Sequence, residues 1–161
     1  MLRYLFSELF QKGKRAMLKI GDTAPAFEAT DHTGKKIKLA DFAGKRIVLW
    51  FYPKADTPGC TKEACGFRDN TPAYQGKDVE ILGVSFDTPA ENKAFADKFK
   101  LKYRLLSDTD RKIGIAYKAA DNASDKYAKR YTYVIGATGK IEQAIDTKDP
   151  ANQAADLLKS V

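Results

Sequence analysis

Residues 47–65 read IVLWFYPKADTPGCTKEAC, and this stretch decides the fold. Its first five residues are all apolar, which is typical of a buried strand. A turn rich in Pro, Asp and Gly follows. Thr57 and Pro58 are then typical of a helix start, because threonine favours the N-cap and proline favours the first helical position. The stretch therefore predicts a strand, a turn and a helix in that order.

Cys60 lies in the first turn of this predicted helix. Free backbone N–H groups and the positive end of the helix dipole favour a thiolate there, and the thiolate is the form of cysteine that attacks electrophiles. A lone cysteine is more often buried and inert. The strand-to-helix turn and a second cysteine within reach favour a reactive thiol here.

Cys65 is the only other cysteine of the chain. Five helical residues separate the two sulfurs by about 7.5 Å of rise and about 140° of rotation. Disulfide geometry cannot be met across that separation, so the pair can bond only if the first turn or two of the helix opens. The spacing differs from the two-residue gap of dithiol reductases. With His32 as the only histidine, the ligands evident in the sequence are too few for a zinc site.

A family resemblance becomes visible at this point. Pro53, Thr57 and Cys60 match the Pro-x-x-x-Thr-x-x-Cys signature of peroxiredoxins, and the longer run 51–69 resembles the PrxQ or bacterioferritin-comigratory type. The segment RYTYVI at 130–135 resembles the Arg-x-Thr-Phe-x-Ile strand of that family. The resemblance covers 17–161. It implies an α/β, thioredoxin-like fold, with a central mixed sheet flanked by helices and extra strands at the N-terminal side.

The resemblance also implies an activity, a thiol-dependent peroxidase that reduces hydrogen peroxide and organic hydroperoxides. Cys60 would be the peroxidatic nucleophile and would become a sulfenic acid. Cys65 would resolve it as an intramolecular Cys60–Cys65 disulfide, which thioredoxin or a similar dithiol would reduce.

The other site residues implied by the resemblance surround the sulfur. Thr57, the backbone N–H groups of Gly59 and Cys60, and Arg130 would hold the peroxide, and Pro53 would shield the sulfur from water. Glu63 and Arg68 are expected on the helix surface or behind the site, without a catalytic role. No metal, flavin or nicotinamide cofactor is expected.

Composition limits the alternatives. The chain has 161 residues and a net charge of +7, from 28 Lys and Arg against 21 Asp and Glu. The basic residues are scattered, which favours a solvated surface over nucleic-acid binding. Two cysteines without a clear signal peptide indicate a reducing compartment, so a cytoplasmic location is expected. A monomer is expected as well. Two rival classes remain: a thiol–disulfide carrier without peroxidase activity, and a binding or chaperone protein that uses the basic surface.

Residues 1–16 differ from the rest and are predicted to be an N-terminal extension to a domain at 17–161. Apolar residues recur in the extension at helical spacing, with charged residues between them. Three interpretations stay open: an amphipathic helix that contacts a membrane surface or a partner, a weak targeting segment, and a natural translation start at Met17.

Beyond the cysteine helix, which should end near residue 74, the pattern alternates strands and helices. Strands are predicted at 27–30, 36–39, 46–52 and 79–86, with a hairpin at 131–135 and 140–145. Helices are predicted from a cap at 87–89 to residue 99, near 112–117 and at 150–158. This order predicts a sheet covered on both faces.

Overall fold

The computed structural model describes residues 16–161, which form a seven-stranded sheet with helices packed on both faces. The strands are β1 (Glu28–Asp31), β2 (Lys36–Lys38), β3 (Arg46–Phe51), β4 (Val79–Ser85), β5 (Arg104–Ser107), β6 (Tyr131–Ile135) and β7 (Ile141–Asp146). The helices are α1 (Pro58–Gly76), α2 (Pro89–Phe99), α3 (Lys112–Ala116) and α4 (Gln153–Leu158), with a 3-10 helix at Leu39–Phe42.

The predicted N-terminal extension lies, apart from Ala16, outside the described residues. Within 16–161, no helix combines the length and the apolar character needed to cross a membrane.

The sheet has the strand order β2-β1-β5-β4-β3-β6-β7. β3, β4 and β5 run parallel to one another, whereas the other neighbouring pairs are antiparallel. The sheet is therefore mixed, as predicted. Because β6 pairs with β3 with Trp50 opposite Thr132, the residues just before β6 lie beside the carboxyl end of β3.

β3 is buried on both faces, which explains why its sequence is a continuous apolar run rather than an alternating one. Alternate side chains enter two separate cores. One core receives Ile47, Leu49 and Phe51 together with the side chains of α3. The other receives Val48, Trp50 and Tyr52 and is covered by α1, α2 and α4.

The core under α1 is an aromatic cluster. Trp50 stacks on Phe67 of α1 at 5.3 Å between ring centroids and lies 6.3 Å from Tyr103. Phe67 in turn lies 5.9 Å from Tyr74, whose hydroxyl donates to the Ala154 carbonyl of α4 at 2.7 Å. The second half of α1 is therefore fixed to the sheet and to the last helix.

Three elements depart from the sequence-based prediction. β5 was not predicted as a strand, because only four residues with two central leucines form it. The last helix begins at Gln153, since the residues after Pro150 form turns instead. The cysteine helix continues to Gly76 through Pro72, past its predicted end near Tyr74.

Candidate active site

The loop between β3 and α1 carries the first part of the site. Thr57 is the N-cap of α1 and Pro58 is its first helical residue, as the sequence predicted. The Thr57 hydroxyl does not cap the helix, however; it donates to the Lys54 carbonyl at 2.7 Å. The first helical hydrogen bond runs from the Thr61 N–H to the Thr57 carbonyl at 2.8 Å. The N–H groups of Gly59 and Cys60 therefore precede the helical ladder and are free to bind a ligand.

Asp87 anchors this loop, a role that the sequence did not indicate. Its carboxylate accepts from the Ala55 N–H at 2.8 Å and from the Lys54 ammonium at 3.0 Å. Only 7% of Asp87 is exposed. The sequence pattern predicts this residue in the cap of α2, but the N-cap is Thr88, which forms a capping box with Glu91. Asp87 instead holds the backbone that leads to Thr57.

Cys60 is fully buried in the first turn of α1, and its thiol is free. The Arg130 Nη1 donates to its sulfur at 3.5 Å. A cation therefore lies directly against the sulfur, at a helix N-terminus that also favours negative charge.

Arg130 reaches this position because it directly precedes β6, beside the end of β3. The Thr147 N–H donates to its backbone carbonyl at 2.9 Å, which fixes the main chain there. Its guanidinium covers Gly59 so closely that a Cβ at residue 59 would lie 3.0 Å from Nη2. Glycine at 59 therefore leaves room for the arginine as well as for a ligand.

Glu63 is the functional residue that sequence reasoning missed. It is fully buried, so of its two expected places, the helix surface and the region behind the site, the structure shows the second. Its Oε1 accepts from Arg130 Nη1 at 3.1 Å, whereas Oε2 has no hydrogen-bond partner among the residues described. Burial raises the pKa of Glu63 to about 7, against the opposing effect of the arginine. A usable signal existed: Glu63 follows Cys60 by three residues and so shares its helix face.

Cys65 lies on the same helix, is partly exposed and is also free. The two thiols are therefore not bonded while the helix is formed, as the spacing required.

Pro53 is half-buried in the loop before α1. It lines a cavity of about 190 Å³, whose wall also includes Phe86 and Tyr127. Arg68 points away from Cys60: its Nη1 donates to the Phe99 carbonyl at 2.8 Å. Over the described range 16–161, His, Cys, Asp and Glu form no cluster of three or more that could hold a metal ion.

Known proteins are similar to this chain in sequence. A model of the AhpC/TSA family matches residues 20–144. Peroxiredoxin Bcp of Escherichia coli (strain K12) is 39% identical over 140 residues, which cover 84% of this chain and 90% of that protein.

Solved structures agree with the sequence relatives. Peroxidoxin BcpB from Mycobacterium tuberculosis has a TM-score of 0.82 at 33% identity, covering 88% of this chain and 95% of that one. A bacterioferritin comigratory protein from Xanthomonas campestris, described for its alkyl peroxide reduction activity, has a TM-score of 0.79 at 26% identity, with 91% and 96% covered. The fold is thus the thioredoxin-like one of peroxiredoxins. The chain belongs to the AhpC/TSA family and is a peroxiredoxin of the Bcp or PrxQ type, a thiol-dependent peroxidase.

Proposed function

We propose that Cys60 is the peroxidatic nucleophile of this peroxidase and that Cys65 resolves it. The observation that carries the proposal is the contact of 3.5 Å between Arg130 Nη1 and the Cys60 sulfur, in the first turn of a helix. The arginine nearest Cys65 along the helix, Arg68, instead donates to the Phe99 carbonyl. The environments of the two cysteines therefore support different roles for them.

In the first step the Cys60 thiolate attacks the terminal oxygen of R–O–O–H. The S–O bond forms as the O–O bond breaks, so sulfur is oxidised and the peroxide is reduced. Cys60 becomes a sulfenic acid, and the alkoxide or hydroxide leaves and takes up a proton. Donors placed in advance around the two oxygens lower the barrier, because negative charge moves onto the leaving oxygen.

Five residues supply the pocket for this step. The N–H groups of Gly59 and Cys60 lie ahead of the helical ladder and would donate to the peroxide. Arg130 would contact both the thiolate and the peroxide, and the Thr57 hydroxyl would turn toward the incoming O–O–H. Pro53 would limit the access of water to the sulfur.

Resolution follows from the second cysteine. The Cys65 sulfur attacks the sulfenic sulfur of Cys60, water leaves, and an intramolecular disulfide forms. The helix must open for this step, because the two residues are five positions apart. A dithiol of the thioredoxin type would then reduce the disulfide and regenerate both thiols.

The proposal extends to the substrates, the cellular location and the oligomeric state of the protein. The Xanthomonas campestris relative is described for alkyl peroxide reduction, so organic hydroperoxides are proposed as substrates beside hydrogen peroxide. We further propose a cytoplasmic monomer that binds neither nucleic acid nor a cofactor. The extension at 1–16 is proposed as its contact to a membrane surface or a partner.

The test is peroxide consumption by cysteine variants with thioredoxin, thioredoxin reductase and NADPH. Cys60→Ser should lose turnover entirely. Cys65→Ser should consume one equivalent of peroxide and stop as a sulfenic acid, which excess peroxide converts to the sulfinic acid.

Mass spectrometry supplies the control for these variants. Wild type treated with one equivalent of peroxide should contain a Cys60–Cys65 disulfide within one chain. Near-normal turnover by Cys60→Ser, or a disulfide found only between chains, would refute the assignment. A thiol–disulfide carrier would oxidise thioredoxin without consuming peroxide in equal amount.

A further inference from the structure

A basic groove lies along the face of α1 that carries Cys65. The groove has a volume of about 480 Å³, and its wall combines the second half of α1 with the segment after α2. It is lined by Arg68, Asp69, Thr71, Pro72, Gln75, Lys100 and Lys102.

The groove begins one helical turn beyond Cys65. Arg68, Asp69 and Pro72 follow this cysteine by three, four and seven residues. Side chains at these spacings share one face of an α-helix. Cys65 is partly exposed, whereas Cys60 is fully buried. A molecule that occupies the groove would therefore lie about one helical turn from Cys65, on the partly exposed face of α1, and not in the peroxide pocket at Cys60.

The charge of the groove is positive. Three cationic side chains, Arg68, Lys100 and Lys102, face the single carboxylate of Asp69. Asp69 already pairs with Arg68 Nε at 3.0 Å. Lys100 and Lys102 are exposed, and neither ammonium group has a carboxylate within 4.0 Å anywhere in residues 16–161. Two cations are thus available to an incoming anionic surface.

The groove belongs to the part of α1 that is anchored to the rest of the fold. Phe67 is fully buried, and the Arg68 guanidinium donates to the Phe99 carbonyl at the end of α2. These contacts lie beyond the first turns, which are the part that must open to join Cys60 with Cys65. We therefore expect the docking surface to persist in the oxidised protein, which is the form that a reductant must recognise.

We propose that this basic groove docks the protein dithiol that reduces the Cys60–Cys65 disulfide, and that this partner carries carboxylates beside its active thiol. The proposal rests on the function proposed above. The partner thiolate attacks the Cys65 sulfur, the Cys60–Cys65 bond breaks, and Cys60 leaves as a thiolate beside Arg130. The second thiol of the partner, as a thiolate, then attacks the partner sulfur of the mixed disulfide. Cys65 is released as a thiolate, and the partner becomes a disulfide.

The test compares two reductants on the full chain carrying Lys100→Glu with Lys102→Glu. One reductant is a thioredoxin of net negative charge, and the other is uncharged dithiothreitol. Charge reversal should lower the ratio of thioredoxin-supported to dithiothreitol-supported kcat/KM by roughly tenfold at low salt, the lower end of electrostatic steering effects. The loss should shrink at about 0.5 M salt, where the Debye length is only a few ångström.

The matched control is Lys36→Glu with Lys112→Glu. These two lysines line a separate groove between β1 and α3, and their replacement changes the net charge by the same amount. Equal loss in both double variants would mean that only net charge matters and would overturn the proposal. An unchanged ratio for the Lys100 and Lys102 variant would overturn it as well.

A third reductant separates a protein partner from a small anionic thiol. Glutathione-supported reduction should respond to the Lys100 and Lys102 changes less than thioredoxin does. An equal response would show that the groove selects small anions and would overturn docking of a protein. Failure of the proposed function is distinguishable, because Cys60→Ser would then still turn over peroxide with dithiothreitol, whatever the effect of the Lys100 and Lys102 changes.

Discussion

The two halves of α1 differ in what they bury. The first half, 58–65, buries the thiol of Cys60, the carboxylate of Glu63 and the methyl group of Ala64. The second half, 66–76, buries the rings of Phe67 and Tyr74. Apolar area removed from water is the main source of folding stability, so the second half holds the helix to the sheet. The first half buries no aromatic ring, and Arg130 contacts both its Cys60 sulfur and its Glu63 carboxylate, so oxidation of the sulfur can alter these polar contacts.

This division fits a catalytic cycle that needs opening and refolding of the same helix. Local opening has a low free energy where few apolar contacts are lost. A first half packed with aromatic rings would resist opening, and the resolving thiol could not reach the sulfenic acid. A second half without them would let the whole helix leave the sheet.

The largest expected effect is the loss of stability caused by a core substitution in the second half of α1. Phe67→Ala removes a buried ring in contact with Trp50, Tyr74 and Tyr103, and such changes destabilise a protein by about 3–5 kcal/mol. Lys62→Ala, an exposed change in the first half, should alter stability by less than about 0.5 kcal/mol. Urea unfolding of the reduced proteins measures both. Similar losses in the two variants would contradict the division of the helix.

The next effect is slower oxidation of Cys60 when its contact with Arg130, in the first half of α1, is removed. Arg130→Ala should slow Cys60 oxidation by about 10²-fold, the usual scale for loss of one transition-state donor. Arg46→Ala is the matched control, because this half-exposed arginine pairs with Glu142 far along β3 from the sulfur. Stopped-flow fluorescence of Trp50 during a single peroxide turnover measures the rate. An unchanged rate in Arg130→Ala would reject its catalytic role.

How far the sequence predicted this site depends on which contacts are local. The start of α1 at Pro58 and the place of Cys60 in its first turn follow from residues adjacent in the chain, and both are confirmed. The contact of Arg130 with the sulfur joins residues that are 70 positions apart, and only the family resemblance predicted it. Asp87 was missed for the same reason, since its contacts to the loop depend on tertiary packing.

Glu63 and β5 show two further limits of prediction from the sequence. A glutamate in the first turns of a helix is ordinarily a surface residue. Glu63 is buried beside Arg130, which directly precedes β6 and is distant in the sequence. β5 is short and its pairing partners β1 and β4 are distant in sequence. The pattern of apolar residues in four positions was therefore too short to predict a strand. The resemblance supplied the mixed sheet correctly, but it did not supply these contacts.

A smaller effect tests the opening itself. After one equivalent of peroxide, amides at 60–66 should exchange with solvent faster than in the reduced protein, because the disulfide requires about a turn of helix to unwind. Amides from 68 to 76, apart from Pro72, should keep their protection. Hydrogen exchange followed by mass spectrometry resolves the two segments. Faster exchange along the entire helix would show that it opens as a unit.

The last expected effect is a pH dependence that originates in Glu63. Burial raises its pKa from 4.5 to about 7, so between these values the folded protein binds more protons than the unfolded chain. Stability should therefore be highest below pH 4.5 as far as this group is concerned, fall as the pH rises to about 7, and level off above it. The slope for a single group is at most about 1.4 kcal/mol per pH unit.

The comparison of wild type with Glu63→Gln isolates this slope. Glutamine keeps an oxygen that accepts from Arg130, but it does not ionise. The groups that face Glu63 are Cys60 on its own helix, Arg130 before β6 and Tyr103 before β5. Asp108, whose pKa burial raises to about 6, contributes a similar slope in both proteins and cancels in the difference.

Urea unfolding from pH 5 to 8 gives the difference directly. The variant should gain stability relative to wild type as the pH rises toward 7, because only the wild type must bury a carboxylate. The same titration should appear in the rate of Cys60 oxidation, since Arg130 Nη1 serves both Glu63 and the sulfur. Ionised Glu63 competes for that donor, and glutamine competes less. A stability difference that does not vary with pH would mean that Glu63 keeps one protonation state across this range, and the arginine would then be shared equally at every pH.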